Sequence, residues 1–194
     1  MISVSLSGGI GSGKSTVLKI FSFLKVPSYN ADQEAKFLLD TNEGLKESII
    51  KNFGDLYLNG SIDRKRFAEI IFNNEEKRKL ANSIIHPFVR EDFQKWMELQ
   101  SSKYVIQEAA IIFETGAYKL FDRNIVVCAP EELRIKRIIA RDGMDRSLVL
   151  SRINAQWKDE QKIPLADFCI MNDEKHSLID QVLVIHKILM SSNA

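Results

Sequence analysis

The sequence SLSGGIGSGKST, residues 5–16, decides the fold of this chain. Within it, residues 8–15 match the pattern G-x-x-x-x-G-K-[ST] in full, a pattern that forms phosphate-holding loops in nucleotide-binding proteins. The glycines allow left-handed backbone torsions, so that successive N–H groups can surround an anion. A helix that begins near Lys14 would direct the positive end of its dipole at the same point. Residues 8–15 are therefore predicted to bind phosphate and are called the phosphate loop below.

The side chains of the phosphate loop have separate expected tasks. Lys14 can reach the β- and γ-phosphates of a nucleotide, and the hydroxyl of Ser15 can bind Mg²⁺. Thr16 follows close to the α-phosphate. The residues expected to contact the nucleotide are Gly9, Ile10, Gly11, Ser12, Gly13, Lys14, Ser15 and Thr16.

The sequence on both sides of the loop favours a strand followed by a helix. An apolar run precedes the loop at residues 2–6, and apolar residues recur at helical spacing from Val17 to Leu24. Strands that alternate with helices indicate an α/β fold with a parallel sheet covered on both faces. Further candidate strands are residues 26–29, 104–112, 124–129 and 167–171.

Residues 31–100 have a different pattern, with helical spacing and no convincing strand. Asp63 is a candidate N-cap, and Pro87 should end one helix or begin another. So long a helical segment indicates a lobe inserted between the second and third strands. We expect a single domain with a core of about residues 1–30 and 101–194, and an inserted helical lobe of about residues 31–100.

Composition excludes several classes of protein. The 194 residues include 27 basic and 26 acidic side chains, a formal net charge of +1, whereas general nucleic-acid-binding proteins usually have a strong basic excess. No apolar run has the length of a membrane span, and the N-terminal residues do not resemble a signal peptide. Cys128 and Cys169 are expected to be reduced, buried core thiols rather than zinc ligands, which favours a cytoplasmic protein.

A phosphate loop alone does not distinguish switches, motors and kinases. A GTPase would carry N-K-x-D after a strand, which MNDEK at residues 171–175 does not match, and an ATPase motor would usually be longer. A small kinase needs an acceptor site, a mobile lid and extra positive charge over the transferred phosphoryl group. The inserted lobe could hold the acceptor, and we expect the lid at about residues 134–162.

The extra positive charge is concentrated in RIKRIIAR, residues 134–141, where three arginines share one helix face. Arginine suits the role because its planar fork binds phosphate oxygens and stays charged. A solvated helix face is the simpler alternative for such a run. We assign that alternative to Arg134 and expect Arg137 and Arg141 to contact the transferred phosphoryl group.

Asp32 is the candidate for orienting an acceptor hydroxyl and taking its proton. It follows the second candidate strand, at the carboxyl edge of the sheet where α/β proteins bind ligands. The sequence NADQEA also suits a helix N-cap at Asp32. Sequence alone leaves both interpretations open.

Taken together, these segments resemble the dephospho-CoA kinases of coenzyme A biosynthesis. The resemblance covers nearly the whole chain, and the order and spacing of its blocks make it specific. The matching blocks are residues 8–16, 30–39, 62–90, 108–116, 128–143, 152–156 and 166–173.

The resemblance implies a fold, a reaction and its reactants. The fold would be P-loop kinase-like, with a five-stranded parallel sheet flanked by helices, an inserted helical acceptor lobe and a lid. The reaction would transfer the γ-phosphoryl group of ATP to the 3′-hydroxyl of the ribose in dephospho-CoA, giving CoA and ADP. ATP and Mg²⁺ would be required, without nucleic acid or membrane, in a monomer or small homo-oligomer.

The resemblance also implies roles for individual residues. Asp32 becomes the carboxylate near the acceptor hydroxyl, while His86 and Arg90 belong to the acceptor lobe. Asn172 lies in the stretch expected to pass the adenine of ATP. Glu108 would contact the acceptor side of the site and hold a water on Mg²⁺.

Three positions depart from the family's pattern. Asn30 and Glu108 stand where the family often has aspartate, and Ala110 stands where it usually has proline. Asp32 is thus the one carboxylate in the segment NAD. Alternatives remain for single residues: Glu108 could be a strand-end carboxylate facing solvent, His86 a structural hydrogen-bonding group, and Glu114 a residue that fixes the backbone of its own turn.

Two alternative functions stay open at this point. One is a small kinase of the same architecture that acts on a nucleoside, a nucleotide or a shikimate-like acceptor. It leaves unexplained the block at residues 62–90, which ends in HPFVR. The other is a nucleotide-dependent regulatory or scaffold protein with little catalysis. The presence of Lys14, Asp32 and Arg137 speaks against it.

Overall fold

The computed structural model of the chain describes residues 1–72 and 74–192. Its parts cluster into two compact units, Met1–Tyr29 with Gln100–Ala194, and Asn30–Leu99. The elements in chain order are β1 (Ile2–Gly8), α1 (Lys14–Phe23), β2 (Ser28–Asn30), α2 (Ala31–Thr41), α3 (Glu43–Phe53), β3 (Tyr57–Leu58), β4 (Ser61–Ile62), α4 (Arg64–Phe72), α5 (Glu75–Glu98), β5 (Tyr104–Glu108), β6 (Arg123–Cys128), α6 (Glu131–Asp142), α7 (Arg146–Asn154), α8 (Asp159–Lys162), β7 (Phe168–Met171) and α9 (Leu178–Ser191).

The first unit is built on a five-stranded parallel sheet in the order β2-β5-β1-β6-β7. The central strand β1 pairs with β5 and β6 and is buried along its whole length. Val4 and Leu6 pack with Phe21 of α1 and Leu189 of α9 on one face of the sheet. Because the opposite face is also buried, Ser5 satisfies its hydroxyl by donating to Oδ1 of Asn124, 2.6 Å away. This sheet confirms the predicted fold class.

Each candidate strand is present, but one is shorter than its apolar run. β5 ends at Glu108, whereas the apolar sequence continues to residue 112. After Glu108 the chain turns, and the N–H of Thr115 donates to the carbonyl of Ile111 at 3.2 Å. Ile112 and Phe113 are buried although they lie beyond the strand. The apolar run therefore extends past the end of β5.

The second unit is mostly helical, with α2, α3 and α4 each packed on α5. Asparagine side chains cap three of its helices, because the amide oxygens of Asn30, Asn42 and Asn74 each accept from a backbone N–H three residues later. Asp63 accepts from the N–H of Arg66 at 3.0 Å in the same way, as the sequence predicts for the start of α4.

The expectation of no strand in residues 31–100 is wrong. β3 and β4 form a two-stranded antiparallel hairpin, with Tyr57 opposite Ile62. The turn between them is Asn59-Gly60, with φ angles of 51° and 86°. Both residues need positive φ in the tight turn that suits a hairpin, and Asn-Gly is its strongest short-range signal. The dipeptide could have been identified in the sequence.

The expectation that Pro87 marks a helix boundary is also wrong. α5 runs from Glu75 to Glu98 with Pro87 inside it. A proline removes one backbone hydrogen bond and crowds the preceding turn. Because α2, α3 and α4 all pack on α5, tertiary contacts stabilise this helix despite the loss.

The two cysteines differ from expectation in exposure. Cys128 is buried, but Cys169 is exposed because it lies on the edge strand β7. Both thiols are free, with their sulfur atoms 3.6 Å apart. A hydrogen bond between them lowers the pKa of Cys169 to about 7. The same bond, together with burial, raises the pKa of Cys128.

Helix length and apolarity also bear on membrane insertion. Across residues 1–72 and 74–192, none of the helices combines the length and the apolar character that a membrane crossing needs.

Candidate active site

The phosphate loop joins the end of β1 to the start of α1 in the first unit. Gly13 precedes α1 with φ 97° and ψ 23°, a left-handed backbone conformation that residues other than glycine rarely adopt. It offers no side chain to cap the helix. The N-terminus of α1 therefore directs its dipole at the loop without a capping side chain, an arrangement that suits an anion.

Lys14 begins α1 and bends back over the loop. Its Nζ donates to the carbonyl of Gly8 at 2.9 Å. This contact keeps the ammonium group beside the loop, where a phosphate would be bound. Ser15 and Thr16 follow in the first turn of α1, and both are exposed to solvent.

Side chains from later in the chain support the loop at Ile10 and Ser12. Oε1 of Gln156 accepts from the N–H of Ile10 at 2.7 Å, and Nε of Arg134 donates to the carbonyl of Ile10 at 2.9 Å. Nδ2 of Asn172 donates to the carbonyl of Ser12 at 2.7 Å. Three peptide groups of the loop are thus held by residues more than a hundred positions away.

Arg134 corrects a sequence-based expectation. It was assigned to a solvated helix face, but only 5% of its surface is exposed. The three arginines at 134, 137 and 141 share a face by spacing, but Arg134 is buried whereas the side chain of Arg141 is 64% exposed. Helical spacing alone carries no information on where such burial ends.

Arg137 and Arg141 have different surroundings. Arg137 donates to the backbone and side-chain oxygens of Asn172, both at 3.2 Å, and lies 3.5 Å from a carboxylate oxygen of Glu174. Arg141 instead forms two hydrogen bonds with Asp142, at 2.7 and 2.8 Å, and its side chain is 64% exposed. Arg137 therefore contacts Asn172, which also supports the loop, whereas Arg141 lies at the surface.

Glu108 ends β5 directly opposite Leu6 of β1. Only 6% of its surface is exposed. The alternative of a strand-end carboxylate facing solvent is therefore wrong. A buried carboxylate at the carboxyl edge of a parallel sheet lies where such sheets bind ligands.

A buried ion pair connects α8 to the segment after β5. Nζ of Lys162, a fully buried side chain, lies 2.8 Å from Oε1 of Glu114. The same oxygen accepts from the N–H of Trp157 at 3.1 Å. Glu114 thus binds the chain between α7 and α8 rather than its own turn. Sequence analysis missed Lys162, since lysine is almost never fully buried.

The second unit contains three of the four residues assigned to the acceptor, Asp32, His86 and Arg90. Asn30 is the N-cap of α2, which places Asp32 in the first helical turn rather than at the cap. His86 and Arg90 lie one turn apart on α5, and both are exposed. Although solvent reaches His86, the protein atoms around its ring partly desolvate it and lower its pKa, while the negative charge of Asp32 opposes that change. The structure therefore brings Asp32 close enough to influence His86.

Comparison with known proteins identifies relatives along almost the whole chain. A family model described as dephospho-CoA kinase matches residues 2–177. A dephospho-CoA kinase from Gamma-proteobacterium EBAC31A08 is 38% identical over 186 residues, covering 94% of each chain. The structure named dephospho-CoA kinase from Campylobacter jejuni aligns with a TM-score of 0.69 at 29% identity, covering 99% of this chain and 98% of that one. The structure of TT1252 from Thermus thermophilus aligns with a TM-score of 0.83 at 28% identity, covering 100% and 98%.

Proposed function

The chain belongs to the dephospho-CoA kinase family, and we propose that it transfers the γ-phosphoryl group of ATP to the 3′-hydroxyl of the ribose of dephospho-CoA, which yields CoA and ADP. The observation that carries the proposal is a complete phosphate loop, supported by Arg134, Gln156 and Asn172, in a chain that matches the family from residue 2 to residue 177.

The first unit holds the donor. Backbone N–H groups of the loop and the ammonium of Lys14 bind the ATP phosphates, and the lysine exchanges its contact with Gly8 for phosphate oxygens. Phosphoryl transfer depends mainly on positioning and on neutralising charge. The supported loop provides such positioning because it needs little rearrangement when the nucleotide binds.

The lid of residues 134–162 adds positive charge. Arg137 is already held beside the loop through Asn172. Arg141 would turn from Asp142 towards the transferred group, since its contact with that neighbour is exposed. Asn172 also contacts the adenine side of ATP in this proposal.

Mg²⁺ fits the residues available. The hydroxyl of Ser15 and, through water, the carboxylate of Glu108 would hold it, and the ion would neutralise charge on the β- and γ-phosphates. Magnesium usually takes few protein ligands and completes its shell with phosphate and water. In keeping with that preference, the described residues contain no cluster of three or more acidic, histidine or cysteine side chains for a metal.

Residues of the second unit bind the acceptor. Asp32 orients the 3′-hydroxyl and accepts its proton, because a carboxylate within reach of the nucleophile is the expected base for this transfer. His86 and Arg90, one turn apart on α5, bind other parts of dephospho-CoA, and the cation of Arg90 suits its phosphate oxygens.

We place this reaction in the cytoplasm, in a monomer or small homo-oligomer. The free thiols of Cys128 and Cys169 suit a reducing compartment. Size-exclusion chromatography with light scattering measures the oligomeric state directly.

A coupled ADP-release assay across acceptors tests the function. The protein is supplied with ATP and Mg²⁺ and, in turn, with dephospho-CoA, AMP, a nucleoside or shikimate. We expect turnover with dephospho-CoA to exceed the others by a wide margin. Faster turnover with another acceptor would identify a different small kinase, and nucleotide binding without acceptor-dependent ADP release would indicate a regulatory protein.

A further inference from the structure

We infer that Arg134 is a positioning residue for ATP binding, which holds the phosphate loop in its binding conformation by fixing the peptide groups around Ile10. The inference rests on the proposed use of ATP. Arg134 was expected on a solvated helix face, but the structure shows its side chain buried.

Burial of Arg134 needs a compensating role. Its side chain is 6% exposed, and Nη2 is buried without a hydrogen-bond partner among the described residues. The nearest carboxylate oxygen, Oδ1 of Asp159, lies 3.9 Å from Nη1, too far for a hydrogen bond. A buried charge with incomplete pairing is costly. Other contacts of the side chain must offset that cost.

The contacts of Arg134 converge on the phosphate loop. Its Nε donates to the carbonyl of Ile10 at 2.9 Å. The N–H of Ile10 in turn donates to Oε1 of Gln156 at 2.7 Å. Both polar atoms of Ile10 are therefore fixed by residues of the lid. Rotation of this part of the loop would break both bonds together.

The guanidinium also occupies the space beside residue 9. A Cβ built on Gly9 would lie 2.2 Å from Nη2 and 2.6 Å from Cζ of Arg134. Gly9 is absent from the glycines with positive φ, so the position requires space rather than an unusual torsion. Gly9 and Arg134 thus form a matched pair, in which the arginine occupies the volume that a side chain at residue 9 would need.

The charge of Arg134 adds to this geometric role. Because Asp159 compensates it incompletely, positive charge remains next to the loop that binds phosphates. Bound triphosphate would stabilise that charge, and the charge would stabilise the triphosphate. The effect should therefore be on nucleotide affinity rather than on the acceptor.

The first test measures nucleotide binding by calorimetry, with ADP and ATP in the presence of Mg²⁺. We expect Arg134→Ala to weaken both affinities about tenfold or more, and to raise the KM for ATP while the KM for dephospho-CoA stays within about twofold. Arg134→Lys keeps the charge without the planar fork and should recover part of the affinity. Lys136→Ala, an exposed change on the same helix, is the matched control.

The second test is a double-mutant cycle with Gly9→Ala. The single change forces a methyl group against the guanidinium and should weaken ADP binding strongly. The double variant with Arg134→Ala should bind ADP more tightly than expected from multiplying the two single losses of affinity. The inference would be overturned if the two losses of ADP affinity simply multiplied in the double variant. It would also be overturned if Arg134→Ala bound ADP as tightly as Lys136→Ala.

Two controls keep the outcomes distinct. Circular dichroism and thermal melting identify a variant that does not fold, in which case Arg134→Lys provides the test. ADP binding needs no acceptor. A wild-type protein that binds ADP but does not phosphorylate dephospho-CoA would refute the proposed function alone, and the cycle would still decide the role of Arg134.

Discussion

The phosphate loop and the acceptor residues differ in how the chain supports them. Arg134 and Asn172 are buried and hydrogen-bonded to the loop in the first unit. Of the four residues assigned to the acceptor, Asp32, His86 and Arg90 are exposed in the second unit. The fourth, Glu108, is buried in the first unit. The donor site is thus preorganised by contacts within the protein. The three acceptor residues of the second unit present their side chains to solvent, where a bound substrate would complete their contacts.

This difference predicts that mutations should separate into two kinetic classes. Changes at or behind the loop should act on ATP, and changes at the acceptor residues should act on turnover or on dephospho-CoA. A variant that crosses between the two classes would contradict this separation.

Lys14→Ala should have the largest effect. It removes the positive charge that would contact the transferred phosphate, so kcat/KM should fall about a thousandfold, and the fold should be retained. Steady-state kinetics and thermal melting check both parts. Activity within tenfold of wild type would show that the loop does not depend on this lysine.

Asp32→Asn should come next. Loss of a base typically costs about a hundredfold or more in turnover, while the affinity for ATP should be largely kept because the residue belongs to the acceptor side. Glu34→Gln, in the same first turn of α2, is the matched control. Near-normal kcat in Asp32→Asn would reject Asp32 as the essential base, and weakened ATP binding would contradict the separation.

Asn172→Ala should have a smaller effect, confined to the donor. It removes the bond to the carbonyl of Ser12 and the two contacts that hold Arg137. We expect about a tenfold weaker affinity for ATP and an unchanged KM for dephospho-CoA. Asn52→Ala on α3 is a control in the other unit. If Asn172→Ala changed only the KM for dephospho-CoA, Asn172 would act on the acceptor rather than on ATP.

The smallest effect is on the titration of His86. Desolvation lowers its pKa and Asp32 raises it, so Asp32→Asn should lower the pKa further. The folded-state pKa lies below that of the unfolded chain. The stability contributed by neutral His86 is therefore present near neutral pH and lost as the pH falls through the folded value. NMR titration of the imidazole measures the shift, and an unchanged or raised pKa would contradict proximity to Asp32.

The sequence specified the donor side well because local signals encode it. The loop pattern lies between a strand and an amphipathic helix, and the parallel sheet follows from alternation of the two periods. Asn59-Gly60 is an equally local signal, which predicts the hairpin of β3 and β4. Such features depend on a few consecutive residues, which is why they can be read without tertiary information.

Other features depend on which surfaces meet. Arg134 and Arg141 have the same type and share a helix face, yet 5% of the surface of Arg134 is exposed, whereas the side chain of Arg141 is 64% exposed. The burial of Lys162 follows from a partner 48 residues earlier, Glu114. The continuity of α5 through Pro87 depends on the helices packed against it. None of these contacts leaves a periodic trace in the sequence.

The most direct test of the account identifies the product made by the wild-type protein from ATP, Mg²⁺ and dephospho-CoA. Mass spectrometry gives the number of phosphate groups added, and ³¹P NMR gives their position. The account predicts one added phosphate, on the 3′-oxygen of the ribose, with ADP formed in equal amount. Phosphate at another position, or ADP formed without a phosphorylated acceptor, would contradict it.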